Sequence, residues 1–223
     1  MNYKGIPYKT EWKEYVDIEK LAKEKGIPPE GSRNPETGGP YYTLPAIIDE
    51  STHVALSESL RIAEYLDKAY PDTPKVIIPG TEVLQTAFIG SFLPHFKAMW
   101  QFTLPANVKL IDHPEGRAYF HKTRSGRVGQ DISTMKPTGD AWQAGLNELR
   151  DGLNNIDQWL QKSGGPYVMG NTISFADFVL GGWLKWMQVA LGKDSEEWKQ
   201  ISSWNEGRWG ERVERLEKYA QTD

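Results

Sequence analysis

Thr43-Leu44-Pro45-Ala46-Ile47-Ile48-Asp49, followed by Ala55-Leu56-Ser57-Glu58-Ser59-Leu60-Arg61-Ile62-Ala63-Glu64-Tyr65-Leu66, is the stretch on which the fold of this chain turns. An apolar run carrying a proline leads into a second short apolar run and then into Glu-Ser at the head of an amphipathic helix. Proline lacks a backbone donor, so it belongs at the start or edge of a strand. With Leu44-Pro45 in cis, the strand is entered by a tight bend that leaves the Leu44 N–H and C=O free for an extended ligand. Glu58 and Ser59 fall where a helix N-terminus offers unpaired N–H groups and a partial positive charge. That corner suits a zwitterion, with a carboxylate on Ser59 and the helix N–H groups and an ammonium on Glu58. The implied ligand is a small peptide-like molecule with an amino-acid end.

Around this unit the pattern predicts two strands, Leu44–Asp49 and His53–Leu56, joined by a turn at Asp49-Glu50-Ser51-Thr52. The helix from Ser59 carries Leu60, Ala63, Leu66 and Ala69 on one stripe and stops at Tyr70-Pro71. Upstream, Pro7 to Val16 alternates apolar or aromatic with charged residues, which predicts a strand with one exposed face. Asp17 to Lys25 predicts a short helix capped by Asp17 and ended by Gly26. Ile27 to Tyr41 is Pro/Gly-rich and without periodicity, a loop long enough to be functional or mobile.

Asp72 to Gly80 reads as a linker, and everything after it reads as helical. Leu84, Phe88, Phe92 and Phe96, with Ile89 and Leu93, form a wide apolar face that continues through Met99, Trp100 and Phe102; Pro94 predicts a kink in it. Asp112 to Thr138 is polar and interrupted, and the basic cluster from His121 to Arg127 reads as a solvated loop. The spacing Trp142, Leu146, Leu149, Leu153, Ile156, Leu160 predicts a long helix stopped by Gly164-Gly165-Pro166. Ser174 then caps a further helix, Asp177 reaches back from its third position, and Ile173 staples onto Phe178. That helix runs through Trp183, Trp186, Met187 and Leu191 with almost no polar face, and Trp209 to Tyr219 forms a last amphipathic piece.

Bulk properties narrow the function classes. The 223 residues carry a net charge of −4, which gives no electrostatic case for nucleic acid. Cysteine is absent, so this chain supplies no disulfide, thiolate ligand or cysteine nucleophile, and four scattered histidines argue against a zinc site. No apolar run approaches the ~20 residues that span a bilayer, and Met1 to Gly5 has no signal-peptide core, so a cytoplasmic protein without a membrane partner is expected. Nine tryptophans point to a large core or an aromatic groove.

Leu44-Pro45, Glu58-Ser59 and Ser174-Phe175-Ala176-Asp177, in this order and spacing, resemble the cis-proline motif, the glutathione-binding pair and the central-helix capping box of the glutathione transferase superfamily. Asn2 to Trp12, Gly26-Ile27-Pro28-Pro29 and Tyr42-Thr43-Leu44-Pro45 are more narrowly similar to a fungal-specific class from wood-degrading basidiomycetes. The resemblance implies an α/β plus all-α protein. Its N-terminal domain, residues 1–72, would be thioredoxin-like with its first strand and helix absent; residues 80–223 would form the all-helical domain. It also implies glutathione as co-substrate, held by Leu44, Pro45, Glu58 and Ser59. An aromatic or hydrophobic second substrate would lie against Phe92, Phe96, Met99 and Trp100, in a homodimer. Tyr41 and Tyr42 are candidate hydroxyl donors to the ligand. In the family, a strand and helix precede the segment that begins here at Asn2-Tyr3, and the turn between them supplies the residue that contacts the glutathione sulfur. By this resemblance Met1 marks a shortened form, and the thiol-activating residue is unassigned. A non-catalytic protein that sequesters aromatic molecules and a dimerisation scaffold are the two other uses such a chain would suit.

Overall fold

A computed structural model describes residues 1–222, and at Ser32 the backbone alone. The expected C-terminal boundary at Asp223 lies outside the described residues. The first part is α/β: helix α1 (Ile18–Glu24), strands β1 (Glu30–Arg33), β2 (Pro40–Tyr41), β3 (Ala46–Asp49) and β4 (Val54–Ser57), then helix α2 (Ser59–Ala69). The rest is helical: α3 (Glu82–Phe92), a 3-10 segment over Leu93–Met99, α4 (Trp100–Leu110), α5 (Pro114–Val128), α6 (Gly139–Gln161), α7 (Phe175–Leu191), α8 (Glu196–Ser203) and α9 (Arg208–Glu217).

Helix α1 ends as its sequence dictates. Gly26 takes φ +68, its N–H donates to the Lys23 carbonyl, and the Ile27 N–H donates to the Ala22 carbonyl at 2.8 Å. Asp17 holds the N-cap position of this helix, but its side chain makes no capping bond. Strands β3 and β4 pair antiparallel with Ala46 opposite Ser57 and Asp49 opposite Val54, so β3 begins after Pro45 and β4 runs one residue past Leu56.

Three expectations are corrected here. Pro7 to Val16 is not a strand; it runs without regular structure into a 3-10 turn at Tyr15–Asp17. Alternation marks a face, but a strand also needs a ladder, and among the described residues none pairs with this segment. Its aromatic side chains find other surroundings: Tyr15 stacks on Tyr119 and packs against Phe120, whereas Trp12 stays 80 % exposed. Second, the loop from Ile27 to Tyr41 contains a small antiparallel ribbon, with Glu30 opposite Tyr41 and Arg33 opposite Pro40. Third, the basic cluster from His121 to Arg127 lies on a helix rather than a solvated loop. Helix α5 starts at Pro114, is capped by His113 Nδ1 accepting from the Gly116 N–H at 3.1 Å, and ends at Gly129 with φ +75. Gly116, Phe120 and Thr123 are its buried residues, so a helix with few buried side chains forms where neighbours cover them.

The main core lies in the helical part, where Leu146, Leu149, Leu153 and Ile156 of α6 meet Leu180, Leu184 and Met187 of α7. Pro94 opens the 3-10 segment, so the kink appears as a local tightening of the backbone. This segment passes so close to α6 that a Cβ built on Gly152 would lie 2.2 Å from the His95 carbonyl oxygen. Gly152→Ala should therefore destabilise the protein by about 1–3 kcal/mol through overpacking. Alanine would gain ~1 kcal/mol in helix propensity, so an unchanged or higher thermal midpoint would show that the two segments can separate without cost.

The linker is a structural strap rather than a tether. Buried Asp67 of α2 accepts from the Val76 and Ile77 N–H groups and from Lys4 Nζ at 2.5 Å, and Lys4 also donates to the Pro74 carbonyl. The Val76 carbonyl in turn accepts from the Phe175 N–H at 2.8 Å. Gln85 extends the junction, its Oε1 accepting from the Ala176 N–H. Helix α2 and the start of α7 are thus fixed on the two sides of one segment.

Candidate ligand site

The bend before β3 and the corner between β4 and α2 are neighbours because Ala46 pairs with Ser57, and at the far end of the hairpin Asp49 ties it to α2. Its carboxylate accepts from the Ser51 hydroxyl and N–H and from the Tyr65 and Tyr70 hydroxyls of and after α2, at 2.6 to 3.0 Å. Ser51 first, then the two tyrosines, hold this carboxyl well below the usual carboxylate range. Nothing in the strand-and-turn pattern identified this clamp, because Tyr65 and Tyr70 read as ordinary positions of an amphipathic helix.

Leu44-Pro45 is a cis peptide. Leu44 is 49 % exposed, and its backbone N–H and C=O have no partner among the described residues. Thr43 beside it donates its hydroxyl to Glu30 Oε2 at 2.7 Å, which ties this edge to β1.

Glu58 adopts φ +78 and ψ 121, a backbone conformation that a non-glycine residue enters at a cost of order 1–3 kcal/mol. In that position its carboxylate caps α2, accepting from the Leu60 and Arg61 N–H groups at 3.1 and 3.2 Å. The Ser59 hydroxyl also points to Glu58 Oε1, at 3.4 Å. This changes the expected division of labour. The helix N–H groups of Leu60 and Arg61 are not open to a ligand carboxylate; Glu58 occupies them. Among the described residues the Ser59 N–H has no partner, so an incoming carboxylate would meet Ser59, and an ammonium would share the remaining lone pairs of the Glu58 oxygens that cap α2.

Ser59 also lines a cleft of about 250 Å³ between α2 and α7, whose walls include Ile62, Ala63, Phe175 and Phe178. The aromatic stretch singled out in the sequence does not line it. Phe92 and Met99 are fully buried and Phe96 is 1 % exposed, all three in the helical core, so they offer no surface to a ligand. Of that group only Trp100, 37 % exposed, presents a face. The cleft beside Ser59 is lined instead by Met1 to Lys4, by α2 and by the start of α7. Burial of a wide apolar face by α6 and α7 accounts for the difference: such a face packs before it can line a groove. The Tyr41 hydroxyl accepts from Arg127 at 2.5 Å and the Tyr42 ring lies 5.7 Å from Lys23 Nζ, contacts that use neither hydroxyl proton.

Among the described residues no group of His, Asp and Glu is arranged to hold a metal ion, and no helix is long and apolar enough to cross a membrane.

The family model for the glutathione S-transferase N-terminal domain matches residues 1–69, and that for the glutathione S-transferase C-terminal domain matches residues 83–219. The chain belongs to the glutathione S-transferase family. A glutathione S-transferase of Ceriporiopsis subvermispora, solved in complex with glutathione, is 39 % identical and superposes with a TM-score of 0.91, over 100 % of this chain and 88 % of that one. A glutathione transferase from Phanerochaete chrysosporium is 32 % identical with a TM-score of 0.91, over 100 % and 87 %. A glutathione S-transferase-like protein of Aspergillus flavus is 29 % identical over 94 % of this chain and 77 % of its own length. The similarity to fungal transferases inferred from short motifs thus extends along the whole of this chain, and with it the α/β plus all-α organisation.

Proposed function

We propose that this chain binds glutathione in an extended pose along Leu44-Pro45, with the γ-glutamyl end at Glu58 and Ser59. The unpaired backbone of Leu44, next to a helix corner that presents one carboxylate and one free N–H, is the observation that carries the reading. Leu44 would pair with the cysteinyl backbone, Glu58 would take the α-ammonium, and Ser59 the α-carboxylate. The glutathione found in the Ceriporiopsis relative, at 39 % identity, supports the same ligand here. An aromatic or hydrophobic electrophile would enter the cleft between α2 and α7, and the glutathione thiolate would attack it. The protein then contributes by orienting the two partners and by favouring the thiolate, since a free thiol near pKa 8.5 is mostly protonated at neutral pH. Homodimerisation, as the family implies, is part of this proposal.

A second reading, ligand binding without turnover, has its own support. The hydroxyls of Thr43, Tyr65 and Tyr70 donate to carboxylates, and that of Tyr41 accepts from Arg127, so each already serves the fold. Calorimetric titration with glutathione, a conjugation assay with a generic aromatic electrophile and displacement of a bound fluorescent aromatic ligand separate the two. Saturable glutathione binding with turnover is expected; displacement of the fluorescent ligand with no turnover would leave the non-catalytic reading, and the absence of both glutathione binding and displacement would overturn both.

A further inference from the structure

Arg127 stands in the last turn of α5, in the helical part, yet its partners lie on the β1–β2 ribbon. Its Nε donates to Glu36 Oε1 at 2.9 Å and one terminal nitrogen donates to the Tyr41 hydroxyl at 2.5 Å. The guanidinium also lies 5.5 Å from the centre of the Tyr41 ring. Between Asn34 and Tyr41, the polar side-chain contacts that leave the ribbon all fall on this one residue among the described residues. The ribbon's other bonds are internal: Asn34 closes its tip on the Glu36 and Thr37 N–H groups, and Gly38 takes φ +70. Most of the tip is exposed, so its own burial does little to hold it.

The end of the ribbon leads into the ligand edge. Tyr41 is three residues before Leu44, a reach of at most ~10 Å of chain. Thr43, between them, is bonded back to Glu30 of β1. A displacement of the ribbon would therefore be carried into the Leu44 backbone, the group offered to the ligand.

We propose that Arg127 is a positioning residue, a clasp from the helical part that holds the Glu30–Tyr41 ribbon and through it the Leu44 edge in glutathione-binding register. This rests on the reading of Leu44 as the cysteinyl contact. Arginine suits the role because its planar fork fixes the directions of two donors while its face meets a ring; lysine's compact ammonium has donors but no planar face to lie on the ring.

Two measurements on Arg127→Gln and Arg127→Lys test it: hydrogen exchange of residues 30–43 and glutathione affinity by calorimetry, each beside the thermal midpoint. Arg127→Gln is expected to speed exchange in that segment and to weaken glutathione binding by about five- to tenfold, with Arg127→Lys between it and the parent and all three midpoints alike. Since the clasp is partly exposed, raised salt should also narrow the affinity gap between parent and Arg127→Gln. Unchanged exchange or unchanged affinity in Arg127→Gln overturns the clasp, as does a loss that only follows the midpoint. If the parent itself does not bind glutathione, the ligand assignment fails instead, and the two failures are told apart.

Discussion

Asp177→Ala should lower the stability of the protein by about 3–5 kcal/mol, the cost of leaving a buried charge without its partner. Asp177 is fully buried and accepts from the Ser174 N–H and hydroxyl, from the Val168 N–H and from Arg212, all at 2.8 to 3.0 Å. Arg212 is itself buried, and burial pulls its guanidinium pKa downward while Asp177 opposes that shift. Removing the carboxylate takes away one half of the capping box of α7, frees the turn at Val168 and strands the Arg212 cation. Urea and thermal unfolding of Asp177→Ala, Asp177→Asn and the double variant with Arg212→Met test this. Asparagine should retain part of the stability, and the double variant should recover part of the alanine loss because no unpaired charge remains. A loss below about 1 kcal/mol in Asp177→Ala would show that the network is not what holds α7 to α9.

Glu58→Gln should weaken glutathione binding by about 10- to 100-fold, the range expected when one charge-assisted hydrogen bond is lost. Glutamine keeps the length of the side chain and one oxygen for either the Leu60 or the Arg61 N–H, which separate carboxylate oxygens now hold, so half of the cap survives and the thermal midpoint should fall by the loss of about one capping bond. The strongest test compares glutathione with an analogue lacking the α-ammonium. The parent should bind the analogue as weakly as Glu58→Gln binds glutathione, and the substitution should cost the analogue little. Equal affinity of parent and variant for glutathione would remove Glu58 from the site. It would leave the positive φ at Glu58 explained by capping alone.

The elements legible in the sequence share one property: their signals are local. Proline at 45, the Ser174–Asp177 box, Gly26 after α1 and the heptad-like run of α6 each act through neighbours within a turn or two, so their positions could be read directly. The same holds for Glu58 and Ser59, because a helix start is a short-range event. Where the sequence misled, the deciding partner was distant. Tyr8 and Trp12 share the parity of one strand face, but pairing requires a second strand, and the neighbouring Tyr15 found α5 instead. The face from Phe88 to Phe102 looks the same whether it lines a groove or fills a core; α6 and α7 settled that it fills a core.

By itself, then, the sequence determined where the backbone bends before Ala46, where α2 and α7 begin, and which residue types meet at the ligand corner. Tertiary structure alone decided how that corner works. Glu58 turns both carboxylate oxygens to its own helix, Asp49 ties the hairpin to that helix, and the adjoining cleft is walled by Met1 to Lys4, α2 and the start of α7. Hydrogen-bond capacity and burial are properties of a whole neighbourhood, and that neighbourhood is assembled from segments more than a hundred residues apart.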